Sequence, residues 1–188
     1  MVDFLNPLQR YLEMMPTQDD VSLIVLKGHL LVEERLERVL RTGTPNPEYL
    51  KEAKLTFYQK VWLCRSFSRQ VSDSKAWPVI LKVNSLRNSF AHSLEPPNVE
   101  SKINDLVSVA KNCSPTIFSR DLIATLGPLG SLRLALLVPL PFLQLLNEHL
   151  SAFVEASEPL FVPSSQAAQK RLKNDHAALS AALDEIHE

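Results

Sequence analysis

An all-α fold is predicted by three observations. Apolar residues recur at helical spacing in segment after segment, and no stretch alternates apolar and polar residues with the period of a strand. Thirteen prolines against 4 glycines punctuate the chain as helix starts and stops. The 188 residues, 45% hydrophobic and 22% charged, suit one helical core with an appended arm. We expect a bundle domain over residues 1–158 and a hinge with a helical arm over residues 159–188.

Each element has its own signal. Phe4, Leu5, Leu8 and Leu12 make a short amphipathic segment that stops before Pro16. Thr17 and Asp20 have the spacing of a capping box, with Thr17 as N-cap. The helix after them carries Val21, Val25, Val32, Leu36 and Val39 on one stripe and stops near Gly43. Glu34 with Arg38, and Glu37 with Arg41, are in the favourable order for a solvated face. Asn46-Pro47 predicts a new start and a long helix over residues 48–71, with Leu50, Ala53, Leu55, Phe57, Val61, Leu63, Cys64 and Phe67 as its apolar positions. Asp73 or Ser74 caps the next helix, which tolerates Pro78 in its first turn and buries Val79, Ile80, Val83, Leu86 and Phe90. Pro96 and Pro97 halt it. Asn98 opens a helix through Ile103, Leu106, Val107 and Ala110 that ends near residues 112–115. Residues 116–130 read as a short helix or loop, and 131–158 as a long apolar helix kinked at Pro139 and Pro141. Residues 166–186 read as a last helix, with Leu172, Leu179 and Ile186 at heptad spacing.

Composition excludes several classes. A formal net charge of −1 gives no global basic field, so contact with nucleic acid requires a local patch. Cys64 and Cys113 are too few for a disulfide framework or zinc cluster and are expected as packed thiols in a reducing compartment. Asp3, Asn6 and Arg10 interrupt the first twelve residues, so no signal-peptide apolar region is expected there. The apolar run 134–143 is about half of the roughly 20 residues a membrane span needs. The expectation is a soluble, cytoplasmic protein without membrane contact. No histidine pair has a metal-ligand spacing with a third ligand, and no glycine-rich phosphate loop occurs, so no metal and no cofactor are expected.

The chemistry concentrates in Arg87-Asn88-Ser89-Phe90-Ala91-His92. Metal-free RNA cleavage needs a group of near-neutral pKa to move the 2′-hydroxyl proton, which His92 supplies. It also needs a permanent forked cation to hold the phosphate as charge builds, which Arg87 supplies. In a straight helix, residues five apart differ by about 140° in azimuth, so these two do not share a face. Asn88, one helical step of four before His92, is expected to orient the imidazole. One His and one Arg seldom provide both acid and base, whereas a two-fold dimer apposing two such motifs would. His29, on the apolar stripe between Val25 and Val32, reads as a satisfied core histidine, and His149, His176 and His187 as surface residues. Trp62, Trp77 and Phe57 read as packing rather than base-stacking residues, and the cations at Lys170, Arg171 and Lys173 as a solvated face.

Residues 84–92 resemble the Arg…His motif of the HEPN superfamily, in which a polar residue such as Asn follows the Arg. Residues 28–40 resemble the acidic first helix of those domains and residues 55–63 the second, so the resemblance covers about residues 17–112. It implies a helical bundle of HEPN type, here with an additional long helix and a C-terminal helical arm. It further implies a homodimer and, in active members, a metal-independent endoribonuclease of toxin–antitoxin and phage-defence systems. RNA is then the substrate and an antitoxin or other protein the partner. The motif carries over to Arg87, Asn88 and His92, with Glu33, before Glu34, as a supporting acid. Leu94 stands where one toxin branch has a tyrosine modified by nucleotidyl transfer, so that mode of control is not expected. The same segment is also similar to mannitol operon repressor-type proteins. That similarity implies the alternative: a non-catalytic helical regulator or interaction module, with the last helix as a contact surface.

Overall fold

A computed structural model of the chain describes residues 7–92 and 96–161, without the side chains of residues 92, 120, 121 and 158–161. The fold is all-α: α1 (Pro7–Met14), α2 (Val21–Gly43), α3 (Phe57–Ser66), α4 (Ala76–His92), α5 (Val99–Cys113), α6 (Arg120–Leu137) and α7 (Pro139–Phe161). The chain divides into two compact units, Met1–Ser151 and Ala152–Glu188, with the division inside α7. Residues 159–161, where a hinge is expected, continue α7, and the expected helix over 166–186 lies outside the described residues. The first unit holds the buried core and the Arg87 motif.

Helix boundaries follow side-chain caps, and several differ from expectation. Asp20, not Thr17, caps α2: its backbone is extended and its carboxylate accepts the Leu23 N–H at 3.0 Å. The long helix expected over 48–71 is broken. Pro47–Leu50 forms only a 3-10 turn, Lys54 adopts a left-handed φ of 46°, and the chain restarts at Thr56. There Thr56 Oγ1 accepts the Gln59 N–H while the Gln59 side chain accepts the Thr56 N–H, a complete capping box. Ser74 begins the approach to α4 by accepting the Ala76 N–H at 3.3 Å. Asn98 opens α5 from a left-handed conformation (φ 60°) and makes no side-chain cap. Ser119 caps α6 over residues expected to be short helix or loop, and the break falls at Gly127 (φ 64°, ψ −170°) before Pro128 rather than at Pro139 or Pro141. Val138, between α6 and α7, keeps helical torsions of φ −50° and ψ −42°.

The core is organised around α2, which packs against α3, α4 and α6. Ile24, Val25, Val32, Leu36 and Val39 are fully buried along it, close to the stripe read from the sequence. Gly28 lets α6 approach: a Cβ there would lie 2.8 Å from Leu136 Cδ1. On α4, Trp77 is buried, donates its Nε1–H to the Val71 carbonyl at 2.8 Å and meets Phe142 edge-on at 5.0 Å. Phe90 is only half-buried. Lys102 on α5 donates to Ser89 Oγ at 2.6 Å, and Lys82 pairs with Asp105, so α5 braces the motif-bearing end of α4. Helix α1 reverses its expected face: Tyr11 is buried, with its hydroxyl donating to the Arg133 carbonyl, while Leu8 and Leu12 are exposed.

Both cysteines are free thiols. Cys64 is buried, its S–H reaches the Leu36 carbonyl, and burial pushes its pKa up to about 12; burial also raises that of half-buried Cys113. The helical stretch Leu122–Ser157 is long and apolar enough, by length and composition, to cross a membrane, so the apolar region exceeds the run 134–143. Leu132, Ala135, Leu136, Leu140, Leu143 and Leu146 nevertheless spend it on the protein core, as in a core helix of a soluble protein.

Candidate functional site

Three elements close one polar cleft. Helix α2 contributes His29 and Glu33, and α4 contributes Asn84, Arg87 and Asn88. The capped start of α3 adds Thr56, Phe57 and Tyr58. The space is open to solvent, with a volume of about 360 Å³. The periodicity that builds it is simple. On α2, His29 and Glu33 are one step of four apart, as are Asn84 and Asn88 on α4, so each pair presents one row to the other helix.

Arg87 is half-buried and sits where two concavities meet. One is the polar cleft. The other is a mostly apolar groove of about 410 Å³, lined by Leu23 and Leu26 of α2 and Phe90 and Ala91 of α4 among others. Arg87 Nη1 donates to exposed Asn88 Oδ1 at 3.4 Å, a long bond that leaves guanidinium donors for a ligand. Asn88, expected to orient His92, is thus engaged with Arg87. His92 is the last residue of α4, and its side chain lies outside the described residues.

Of the two acids weighed as support for the motif, Glu33 and Glu34, Glu33 is the one in the cleft. Lys60 Nζ donates to Glu33 at 2.8 Å and to Glu37 at 2.6 Å, whereas Glu34 pairs with Arg10 at 3.1 Å. Glu34 and Glu37 therefore bond to cations on other helices, beyond the solvated pairs expected along α2. Burial opposes the Lys60 charge, but the bonds to Glu33 and Glu37 outweigh it and hold its pKa above the ordinary lysine value.

His29 departs from the satisfied core residue expected from sequence. It is buried and stacks on Phe57, with ring centroids 4.4 Å apart at 29°. Its Nε2 lies 3.2 Å from Asn84 Oδ1, but Nδ1 has no hydrogen-bond partner and faces the Glu33 carboxylate at 3.8 Å. Burial lowers its pKa. The Asn84 bond and Glu33 work the other way, and the Arg87 and Lys60 charges lower it further. The imidazole is therefore neutral near pH 7. Asn84, Thr56 and Tyr58 are cleft residues that sequence reasoning does not single out. Only the shared four-residue spacing of His29–Glu33 and Asn84–Asn88 hints at the cleft.

Around α3 the expected packing fails at three positions: Trp77 and Phe57 pack inward as expected, but Trp62 is 42% exposed, and Leu63 and Ala53 are exposed as well. His149 is exposed, and His176 and His187 lie outside the described residues, as do the cations of 170–173. Among the described residues, no group of three or more His, Cys, Asp or Glu side chains is placed to hold a metal ion. No family model, curated protein or solved structure matches this chain. The functional reading therefore rests on the chemistry of the cleft.

Proposed function

We propose that the chain is a metal-independent endoribonuclease of HEPN type, acting in the cytoplasm as a homodimer whose active site combines the Arg87 and His92 motifs of two subunits. The observation that carries this reading is the position of Arg87, a half-buried guanidinium at the rim of a polar cleft, with His92 ending the same helix.

The reaction follows from those groups. Arg87 grips the scissile phosphate with forked donors as its charge rises. A neutral His92 takes the 2′-hydroxyl proton, and the 2′-oxygen attacks phosphorus to close a 2′,3′-cyclic phosphate. As the bond from phosphorus to the 5′-oxygen breaks, His92 of the partner subunit, in its protonated form, supplies the proton to that leaving oxygen. Lys60 offsets the Glu33 carboxylate in the cleft and so lessens its repulsion of the phosphate, while Asn88 steadies Arg87.

The apolar groove beside Arg87 is the surface for the second subunit. Leu26 and Leu30 are 42% and 49% exposed on the same side of α2, and Arg87 lines this groove as well as the cleft. A two-fold contact there brings two motifs together. In a toxin or defence setting, an antitoxin protein would act by covering the cleft.

The test is the chemistry of the products. Incubation with single-stranded RNA in EDTA is expected to give 2′,3′-cyclic phosphate ends, and 2′-deoxy substitution at the scissile nucleotide is expected to stop the reaction. Cleavage that depends on added divalent cation, or that survives 2′-deoxy substitution, would overturn the mechanism.

A further inference from the structure

Helix α3 has two unlike rows. Phe57, Val61 and Cys64 face the core, each buried. The adjacent row, Tyr58, Trp62 and Arg65, has the same four-then-three spacing but faces water, with Tyr58 55% and Trp62 42% exposed. The two exposed rings touch edge to face, with centroids 5.8 Å apart at 67°. Arg65 lies over the indole, its guanidinium carbon 5.1 Å from the ring centroid. Tyr58 is also part of the lining of the Arg87 cleft, so the aromatic row runs out of the cleft along α3.

We infer that the row Tyr58–Trp62–Arg65 is a base-stacking platform for single-stranded RNA whose backbone phosphate lies in the Arg87 cleft. The identity of the nucleic acid rests on the ribonuclease reading; the platform itself rests on the exposed rings and their continuity with the cleft. Every base has a π-face, so aromatic rings bind single strands with little regard for sequence. A duplex keeps those faces stacked internally and offers none to the protein. The row carries a cation at each end: Arg87 in the cleft beside Tyr58, and Arg65 beyond Trp62. The acid paired with Arg65, Asp73, is almost fully exposed and 3.7 Å away, so a phosphate can replace it. An anionic, ring-bearing strand matches this alternation, whereas an apolar protein face would have to desolvate Arg65.

The two tryptophans provide the readout. Trp77 is 1% exposed, so it is a silent background, and Trp62 is the reporter. Titration with a 12-nucleotide single-stranded RNA is expected to quench tryptophan emission, and Trp62→Phe is expected to abolish the quench while retaining a stacking ring. Trp62→Ala and Tyr58→Ala are each expected to weaken binding by roughly 5- to 150-fold, the range for one lost base stack. A blunt RNA duplex of equal length is expected to bind more weakly than the single strand. A quench that survives Trp62→Phe, or affinities of both alanine variants within about two-fold of wild type in proteins with native circular dichroism, would overturn the platform and leave the row to a protein partner. The two readings fail separately. Quenching without RNA cleavage keeps the platform and removes the ribonuclease. Cleavage that needs Arg87 and His92 but ignores Tyr58 and Trp62 does the reverse.

Discussion

His29 and Asn84 join α2 to α4 through one bond, Nε2 to Oδ1 at 3.2 Å, and that bond leaves His29 Nδ1 facing Glu33 without a partner. With Oδ1 accepting, Nε2 carries the proton, so the neutral ring presents a lone pair toward a carboxylate. Burial dominates, and the cations Arg87 and Lys60 add to it, keeping the ring neutral despite Glu33.

The consequence is a pH-dependent stability. The folded pKa of His29 lies below the ordinary histidine value of 6.5, so the unfolded chain binds the proton first as pH falls. The stabilisation is full above about pH 6.5 and is lost as pH drops toward the folded value. His29→Gln keeps an N–H for Asn84 and cannot titrate. The loss of Tm from about pH 7.5 to pH 5.5 is expected to be smaller in this variant; equal losses would contradict the assignment.

Lys60 holds two carboxylates one turn apart on α2, with its own side chain only 12% exposed. Lys60→Met removes that cation and leaves Glu33 and Glu37 facing each other. We expect a loss of about 1–2 kcal/mol in urea unfolding. The His29 titration, followed by NMR of its ring protons, is expected to move upward because a neighbouring cation is gone. An unchanged His29 midpoint would dissociate Lys60 from the cleft.

Gly28→Ala tests the approach of α2 to α6. The alanine gains up to about 1 kcal/mol of helix propensity. Its Cβ, however, meets the fully buried Leu136, whose side chain then has to shift within a packed core. A net destabilisation of about 1–3 kcal/mol is expected. Pairing it with Leu136→Ala is expected to cost less than the sum of the two single changes. A stabilised Gly28→Ala would show that the helices yield easily.

The all-α class, the α2 stripe and the α4–α5 boundary were legible because periodicity and proline act locally. The break inside residues 48–71 was legible too, in Thr56 and Gln59, but the apolar run across it masked the capping box. At α2 the three-residue spacing of Thr17 and Asp20 looked like a capping box, yet Asp20 adjoins the helix and takes the bond. The cleft was legible only in part. Arg87, Asn88 and Glu33 stand out by residue type, but no spacing within one helix reveals that Asn84 bonds His29 across 55 positions. Trp62 shows the same limit: its spacing fits the core, but the neighbouring row, Phe57, Val61 and Cys64, turned inward instead.

The most direct measurement is single-turnover cleavage of end-labelled single-stranded RNA in EDTA by wild type, Arg87→Ala and His92→Ala, with circular dichroism melts of all three. The wild type is expected to cut, and each variant to be slower by about 100-fold or more while melting with the wild type. A wild type that cuts no RNA, or variants that cut at its rate, would contradict the Arg87–His92 site and leave the helical-regulator reading in its place.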